Sequence, residues 1–584
     1  MSVLVVGGGI TGLSAAYALG RAGIPTILIE ASGRLGGKVG TERRDGFLIE
    51  SGPDSFISYR PAALDLAREL GLAEAIIRPT EPRTVNIRSG GRFRRLPDGM
   101  GLVLPTRMRP FVTTDLFSPL EKLRMGLDLV LPRDGLAQDL AVGTFLRRRL
   151  GGALVERLAG PLIGGVYGTP VDELSLLAVV PQLRDAEREH RSLLLASLAS
   201  GRARKGQPGG SPFVTLAGGT GQLTDALVAA IGALSDVTVQ TGTALRTLRR
   251  VPGGYVVRIG GDELEERFEA VVLATSGPAA VDILEGIAPM AAARIQTIPH
   301  GSTAVVTLAY RLDAFTEPPT GHGFLVAAGE PLAIDACTFS SRKWAGRAPD
   351  GTILLRCFVG SRRPEVLIGT DEAVLAAARR DLATTLGVRG EPILGQVSRW
   401  TGQMPHYTVG HLERVEAVNA GLADLPGLIV AGAPFRGVGL PDCISQGRAA
   451  AVSVEAILGS LRTADLRTGG LRPDAIPGAT LGATPGATPD ADPPQVSVPL
   501  HRVAPGNGGR VISVGPSHRA ELAREGVRPG ADLSVASAAP FEGPLVLRIG
   551  RARLALARSV ARTVEVTVGV GSSTSDDVPS KAAR

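Results

Sequence analysis

Cysteine is scarce in this chain. Only Cys337, Cys357 and Cys443 occur among 584 residues. Three widely spaced cysteines build no disulfide framework and match no zinc-ligand spacing, so no metal site is expected and a reducing, cytoplasmic location is. Aromatic residues are also few, at 4%. Long apolar runs are missing. The richest, residues 3–20, is broken by Gly7, Gly8, Gly9 and Gly12, so no transmembrane segment is expected. That stretch has neither the cationic start nor the cleavage site of a secretory signal. Charge is nearly balanced, with 63 Lys and Arg against 56 Asp and Glu. The arginines are scattered rather than clustered, so no nucleic-acid partner is expected.

What is present is length and glycine. A chain of this size exceeds one hydrophobic core, and several domains are expected. It opens "MSVLVVGGGITGLSAAYALG". "SVLVV" is a β-branched strand, "LSAAYALGRAG" has helical composition, and "PTILIE" is a second strand. Gly7, Gly9 and Gly12 stand at the first turn of this βαβ unit. Gly7 permits the tight turn, Gly9 admits a pyrophosphate to the helix N-terminus, and Gly12 lets helix and strand pack closely. Glu30 ends the second strand, where a carboxylate accepts hydrogen bonds from a ribose 2′-hydroxyl. The unit predicts a dinucleotide site and does not by itself separate NAD from FAD.

The next stretch, "EASGRLGGKVGTERRDGFLIESGPDSF", adds a second glycine pair, Gly36 and Gly37, and then Gly52 within "ESGP". Glycine fingerprint, acidic residue, R-x-G-G-K doublet and E-x-G-P together resemble the flavin-containing amine oxidase superfamily. The resemblance implies non-covalent FAD, with Arg34 and Lys38 flanking the doublet and neutralising phosphate charge. It implies a discontinuous Rossmann-type FAD domain from residues 1–60, 212–280 and 425–462. The strand near Val239 would lie by the adenine. The final segment, "PGLIVAGAPFRGVGLPDCISQGRAAA", would bring Gly432, Gly439 and Ile444 to the flavin. A helix N-terminus aimed at the pyrimidine side of the ring would stabilise reduced, anionic flavin.

More specific segments narrow the resemblance to the water-soluble, Gram-positive-type porphyrinogen oxidases. These are "GPLIGGVYGTPVDELSLLA", "GHGFLV", "ACTFSSRKWAGRAPDG", "MPHYTVGH" and "GVGLPDCISQG". Such enzymes chiefly oxidise coproporphyrinogen III to coproporphyrin III with dioxygen and release hydrogen peroxide; membrane-bound relatives oxidise protoporphyrinogen IX. The tetrapyrrole carries propionates, which arginine grips and lysine attracts. Arg94, with Arg92 and Arg95, matches the family's propionate anchor in "SGGRFRRLPDG", and Lys343 and Arg356 are further candidates. Gly165, Tyr167, Phe324, Leu325 and Phe339 are candidate walls for a flat macrocycle. No general base is assigned; His322, His406 and His411 read as structural partners before chemical ones. Amine oxidases would show an aromatic pair before the last helix, and here "APFRGVGLPDC" offers only Phe435. Carotenoid desaturation and non-catalytic binding of flavin or porphyrin remain as alternatives.

Residues 281–424 read as an α+β substrate part and 110–205 as a helical subdomain, for which peripheral membrane contact stays open. The enzyme-like part is expected to span 1–462. Residues 463–495, with "PGATLGATPGATPDADPPQ", read as a disordered linker. Residues 496–570 predict short strands and a brief helix near 517–526. "LAREGVRPG" and "PFEGP" there resemble the FeoA-type domain. That resemblance implies a small Src-homology-3-like β-barrel and a partner from iron handling. The tail, 571–584, reads as disordered.

Overall fold

The computed structural model describes residues 2–101, 103–133, 138–203, 211–261 and 265–468. In the C-terminal part it describes 495–500, 508–514, 522, 527–529, 531–538, 545–549, 552–556, 558–561 and 564–569. The chain divides into two compact units, Met1–Arg472 and Pro473–Arg584.

The first unit is built on a five-stranded parallel sheet. Its strand order is Val237–Thr241, Thr26–Glu30, Val3–Val6, Ala270–Leu273 and Leu428–Val430. The central strands, VLVV and AVVL, are buried throughout, as strands covered on both faces must be. Between the first two strands in the chain runs the helix Ile10–Arg21. The helix Leu440–Thr468 returns from the far end of the unit and packs against it. A Cβ on Gly447 would collide with the Thr11 carbonyl oxygen. The sheet and both helices share one core containing Val5, Leu13, Leu28, Val272, Ile444 and Val454. The last helix runs past residue 462, to Thr468. Residues 469–494, the rest of the expected linker, and the expected tail 571–584 lie outside the described residues.

A second, seven-stranded sheet holds Leu394–Pro405, His300–Arg311, Thr352–Val359, Ile334–Phe339, Gly323–Val326, Val85–Ser89 and Arg92–Arg95 in that order. Its pairings are antiparallel except the parallel contact of Gly323–Val326 with Val85–Ser89. Phe324 and Phe339 belong to its core. Cys337 and Cys357, twenty positions apart, face each other across neighbouring strands as free, buried thiols.

The described residues between Met108–Thr113 and Leu193–Ala203 form a series of short helices joined by turns. Within them Val155–Gly164 is a π-helix containing Pro161. Proline has no N–H to give an i−4 carbonyl, and the chain widens there. It continues as Gly165–Tyr167 and stops at Gly168, φ 63°. Leu120, Leu123 and Val130 are 79%, 67% and 70% exposed. Among the described residues no helix is long and apolar enough to cross a membrane.

The second unit holds a six-stranded antiparallel sheet. Its order is Gln495–Pro499, Val564–Gly569, Gly508–Val514, Asp532–Ala538, Leu545–Ile549 and Ala552–Leu556. Val511, Val535, Leu547, Val564 and Val566 form its core. The helix expected near 517–526 lies, apart from Leu522, outside the described residues.

Candidate active site

The glycines of the first turn take three different physical roles. Gly7 has φ 106°, and a Cβ there would stand 2.6 Å from the Ala274 carbonyl oxygen. A Cβ on Gly12 would collide with the Gly7 carbonyl oxygen. On Gly9 it would meet nothing within 4 Å. Gly9 is the N-cap of the first helix, has no side-chain cap, and is followed by a first turn free of acidic residues. The helix end therefore presents unpaired N–H groups and its positive dipole to open space, which fits a pyrophosphate.

The second glycine pair completes this cradle. The Gly36 N–H donates to the Gly8 carbonyl at 2.8 Å. A Cβ on Gly37 would lie 3.0 Å from Gly9 Cα. Arg34 braces the turn, donating to the Val39 carbonyl at 2.9 Å and also to the Gly37 carbonyl. Gly52 lies so close to the Lys38 carbonyl that a Cβ would collide with it. The Lys38 ammonium donates to the Gln403 carbonyl at 2.6 Å, and burial lowers its pKa. A cationic lysine in that position gains from a nearby anion.

Glu30 accepts from the Gly8 N–H at 2.7 Å and from the Ser32 N–H and hydroxyl at 2.8 and 2.7 Å. Val239 lies on the edge strand opposite Leu28. On the other side, Gly432 has φ 121° and donates to the Gln446 side-chain oxygen at 3.2 Å. A Cβ on Gly439 would stand 3.0 Å from the Asp442 carboxylate. Ile444 is buried in the first turns of the last helix. Cys443, also buried, has its thiol pushed up to about 11 by desolvation. It is a protonated thiol at neutral pH, a poor nucleophile.

The candidate substrate residues fall into three groups. Arg94 and Arg95 lie on the hairpin strand paired with Val85–Ser89. Arg94 pairs with the Asp115 carboxylate at 3.0 Å and donates to its carbonyl at 2.7 Å. Arg95 pairs with Asp98 at 3.1 Å. Phe324 joins this group through Phe93, 5.0 Å between ring centroids. Gly165 and Tyr167 form a second group at the end of the π-helical run. The Tyr167 ring is 5.8 Å from Tyr407, and burial pushes its phenol up to about 12. Lys343 is engaged elsewhere, with Asp54 at 3.3 Å. Asp54 also pairs with Arg356 at 3.5 Å and accepts from the Trp344 indole at 3.2 Å. These two cations hold its carboxyl well below the usual range.

Desolvation lowers the pKa of all three candidate histidines. His411, at about 4, is neutral at physiological pH. Two residues that bear on the site were missed. Gly447 sets the crossing of the two helices behind the cradle, and only its small-residue run, "QGRAAA", hinted at it. Tyr407, within the segment "MPHYTVGH", holds the loop before the last helix, a contact that no spacing in the sequence indicates.

A parallel sheet with paired glycine turns at the carboxyl ends of its strands, closed by a helix from the end of the unit, defines a dinucleotide-binding protein. The chain belongs to the family of flavin containing amine oxidoreductases, whose model matches residues 10–454; residues 498–568 match the FeoA domain. It is an FAD-dependent oxidoreductase. It is 45% identical over 483 residues to the coproporphyrinogen III oxidase of Propionibacterium freudenreichii subsp. freudenreichii, covering 77% of this chain and 90% of that one. The coproporphyrinogen III oxidase of Bacillus subtilis (strain 168) is 33% identical, covering 77% and 96%. The protoporphyrinogen oxidase of Bos taurus is 31% identical, covering 78% and 98%. A solved structure from Exiguobacterium sp. 255-15, put forward as a protoporphyrinogen oxidase, superposes with a TM-score of 0.69 at 34% identity, covering 78% and 98%. Cyclohexylamine oxidase from Brevibacterium oxydans IH-35A, at 19% identity and a TM-score of 0.56, shares the fold.

Proposed function

We propose that this protein oxidises coproporphyrinogen III to coproporphyrin III. The observation that carries the reading is the extent of the likeness: it runs with the coproporphyrinogen III oxidases over 483 residues, far beyond the glycine cradle. The reaction removes six hydrogens, so three molecules of dioxygen become three of hydrogen peroxide. The chemistry that bound FAD would supply is acceptance of hydride from a meso carbon and return of the electrons to dioxygen. The chain's own residues bind, orient and exclude water. Gly9 and the first helix, with Gly36 and Gly37 beside them, would hold the pyrophosphate. Glu30 receives the ribose. Arg94 exchanges Asp115 for a propionate, and Tyr167 supplies an apolar wall; Phe324, buried in the core of the second sheet, does not reach the substrate.

Protoporphyrinogen IX is the competing substrate, favoured by the likeness to the Bos taurus enzyme. A side-by-side assay in air, following porphyrin fluorescence, decides. Faster turnover of coproporphyrinogen III is expected, and faster turnover of protoporphyrinogen IX overturns the reading. Arg94→Gln is expected to raise KM for coproporphyrinogen III about tenfold, the worth of one charge-assisted hydrogen bond. An unchanged KM removes Arg94 from the site.

The C-terminal unit we take as a Src-homology-3-like contact module coupling oxidation to iron handling. Its fusion to a porphyrin-forming enzyme motivates this. A chain ending at Arg472 is expected to keep its rate in air and lose any response to added ferrous iron. An iron response identical in both chains refutes the coupling.

A further inference from the structure

Segment 404–411, "MPHYTVGH", joins three parts of the first unit that are far apart in the chain. Its backbone faces the stretch that follows the Gly165–Tyr167 turn. The Ser175 N–H donates to the Tyr407 carbonyl at 2.7 Å, and the Val409 N–H donates to the Glu173 carbonyl at 3.0 Å. Its side chains face the loop before the last helix. The Tyr407 hydroxyl donates to the Ala433 carbonyl at 2.6 Å and accepts from the Gly437 N–H at 2.6 Å. His411 donates from Nε2 to the Phe435 carbonyl at 2.9 Å. The two rings stack, with centroids 3.8 Å apart at 15°. Alternate residues of the loop, at 433, 435 and 437, are thus held from one side.

A five-residue glycine-containing loop has many conformations of its own, and Gly437, at φ 103°, adds to them. Three hydrogen bonds to two stacked, buried rings select one. Tyr407 is 1% exposed and His411 is fully buried, so water does not compete. The Tyr407 ring also meets the Tyr167 ring.

We propose that Tyr407 is a positioning residue that sets the loop carrying Gly432 and Gly439 against the Gly165–Tyr167 turn, with His411 as its second point of attachment. Through it the cofactor side and the substrate side of the site keep one relative placement. This rests on the reading of the 432–439 loop as a flavin contact. Neither ring is a catalytic residue: each acts through the loop it holds.

Tyr407→Phe keeps the ring, the stack and the Tyr167 contact, and removes only the hydroxyl. The holoenzyme is expected to lose FAD affinity about tenfold, as for one or two lost hydrogen bonds. Its flavin circular dichroism in the visible should change. The kcat for coproporphyrinogen III should fall about tenfold, while KM moves less than twofold. A merely structural role would lower the melting temperature and leave the flavin spectrum and the kcat to KM split untouched. His411 supplies an independent pair. His411→Gln keeps a donor near the Nε2 position and should retain FAD affinity within about threefold of the parent; His411→Leu should not. Tyr407→Phe with unchanged FAD affinity, spectrum and kcat overturns the proposal. If that variant does not fold, equal FAD affinities for the Gln and Leu variants overturn it. Parent protein that binds no FAD fails the cofactor reading itself, a different result.

Discussion

Gly9→Val is expected to give a folded protein that purifies colourless. Gly9 sits in extended backbone, φ −72°, which any residue adopts, and its Cβ position is open. No atom lies within 4 Å of the new Cβ in the apoprotein. The space it fills is the space at the helix N-terminus where the pyrophosphate must approach. Loss of FAD affinity of at least about a hundredfold is expected, which is about 3 kcal/mol. Gly12→Ala fails for another reason. Its methyl collides with the Gly7 carbonyl, so the strand and helix separate and the apoprotein itself loses stability. The ratio of flavin to protein absorbance, with the melting temperature of each apoprotein, separates the two. Gly9→Val at the parent's flavin content would mean that the pyrophosphate lies elsewhere.

Asp128→Ala is expected to cost about 3–5 kcal/mol of stability, the cost of leaving a buried charge without its partner. The Asp128 carboxylate accepts from Arg149 Nε at 2.6 Å, from the Ser192 hydroxyl at 2.6 Å and from the Leu194 N–H at 3.0 Å. Arg149 further donates to the Arg191 and Pro132 carbonyls at 2.6 and 2.7 Å and reaches Glu187 at 3.4 Å. Arg184 pairs with Glu187 at 3.1 Å. None of these four side chains is more than 4% exposed. The group joins the Val142–Leu150 helix to Pro181–His190 and to the turn before Leu193. Arg149→Met should cost a similar amount, and Asp128→Ala with Arg149→Met should cost less than the two singles together, because neither charge is then left alone. Urea unfolding measures all three. A cost below about 1 kcal/mol for Asp128→Ala would show that the pair contributes no more than an exposed one.

The cradle was legible in the sequence because its requirements are local. A left-handed turn at Gly7, room at Gly9 and a close approach at Gly12 are demands on backbone within six residues. The pattern of β-branched strand, glycines and alanine-rich helix states them directly. The doublet at Gly36 and Gly37 and the E-x-G-P after it extended the signal far enough to separate FAD from NAD. The scarcity of cysteine and the lack of long apolar runs bounded the class of protein in the same direct way.

Partners across long stretches of chain were decided by tertiary structure. Arg94 reads in sequence as one of three basic residues on a hairpin; only folding brings Asp115 to it. Lys343 reads as a free cation, and the fold gives it Asp54, 289 positions away. Cys337 and Cys357 become neighbours because strand register sets them opposite one another. Tyr407 reaches Ala433 and Gly437 while its backbone meets Ser175, because a β-strand, a helical turn and a loop converge at one point. Such pairings depend on register and packing between elements, which are set by burying apolar surface over the whole unit. No local pattern of residues encodes them.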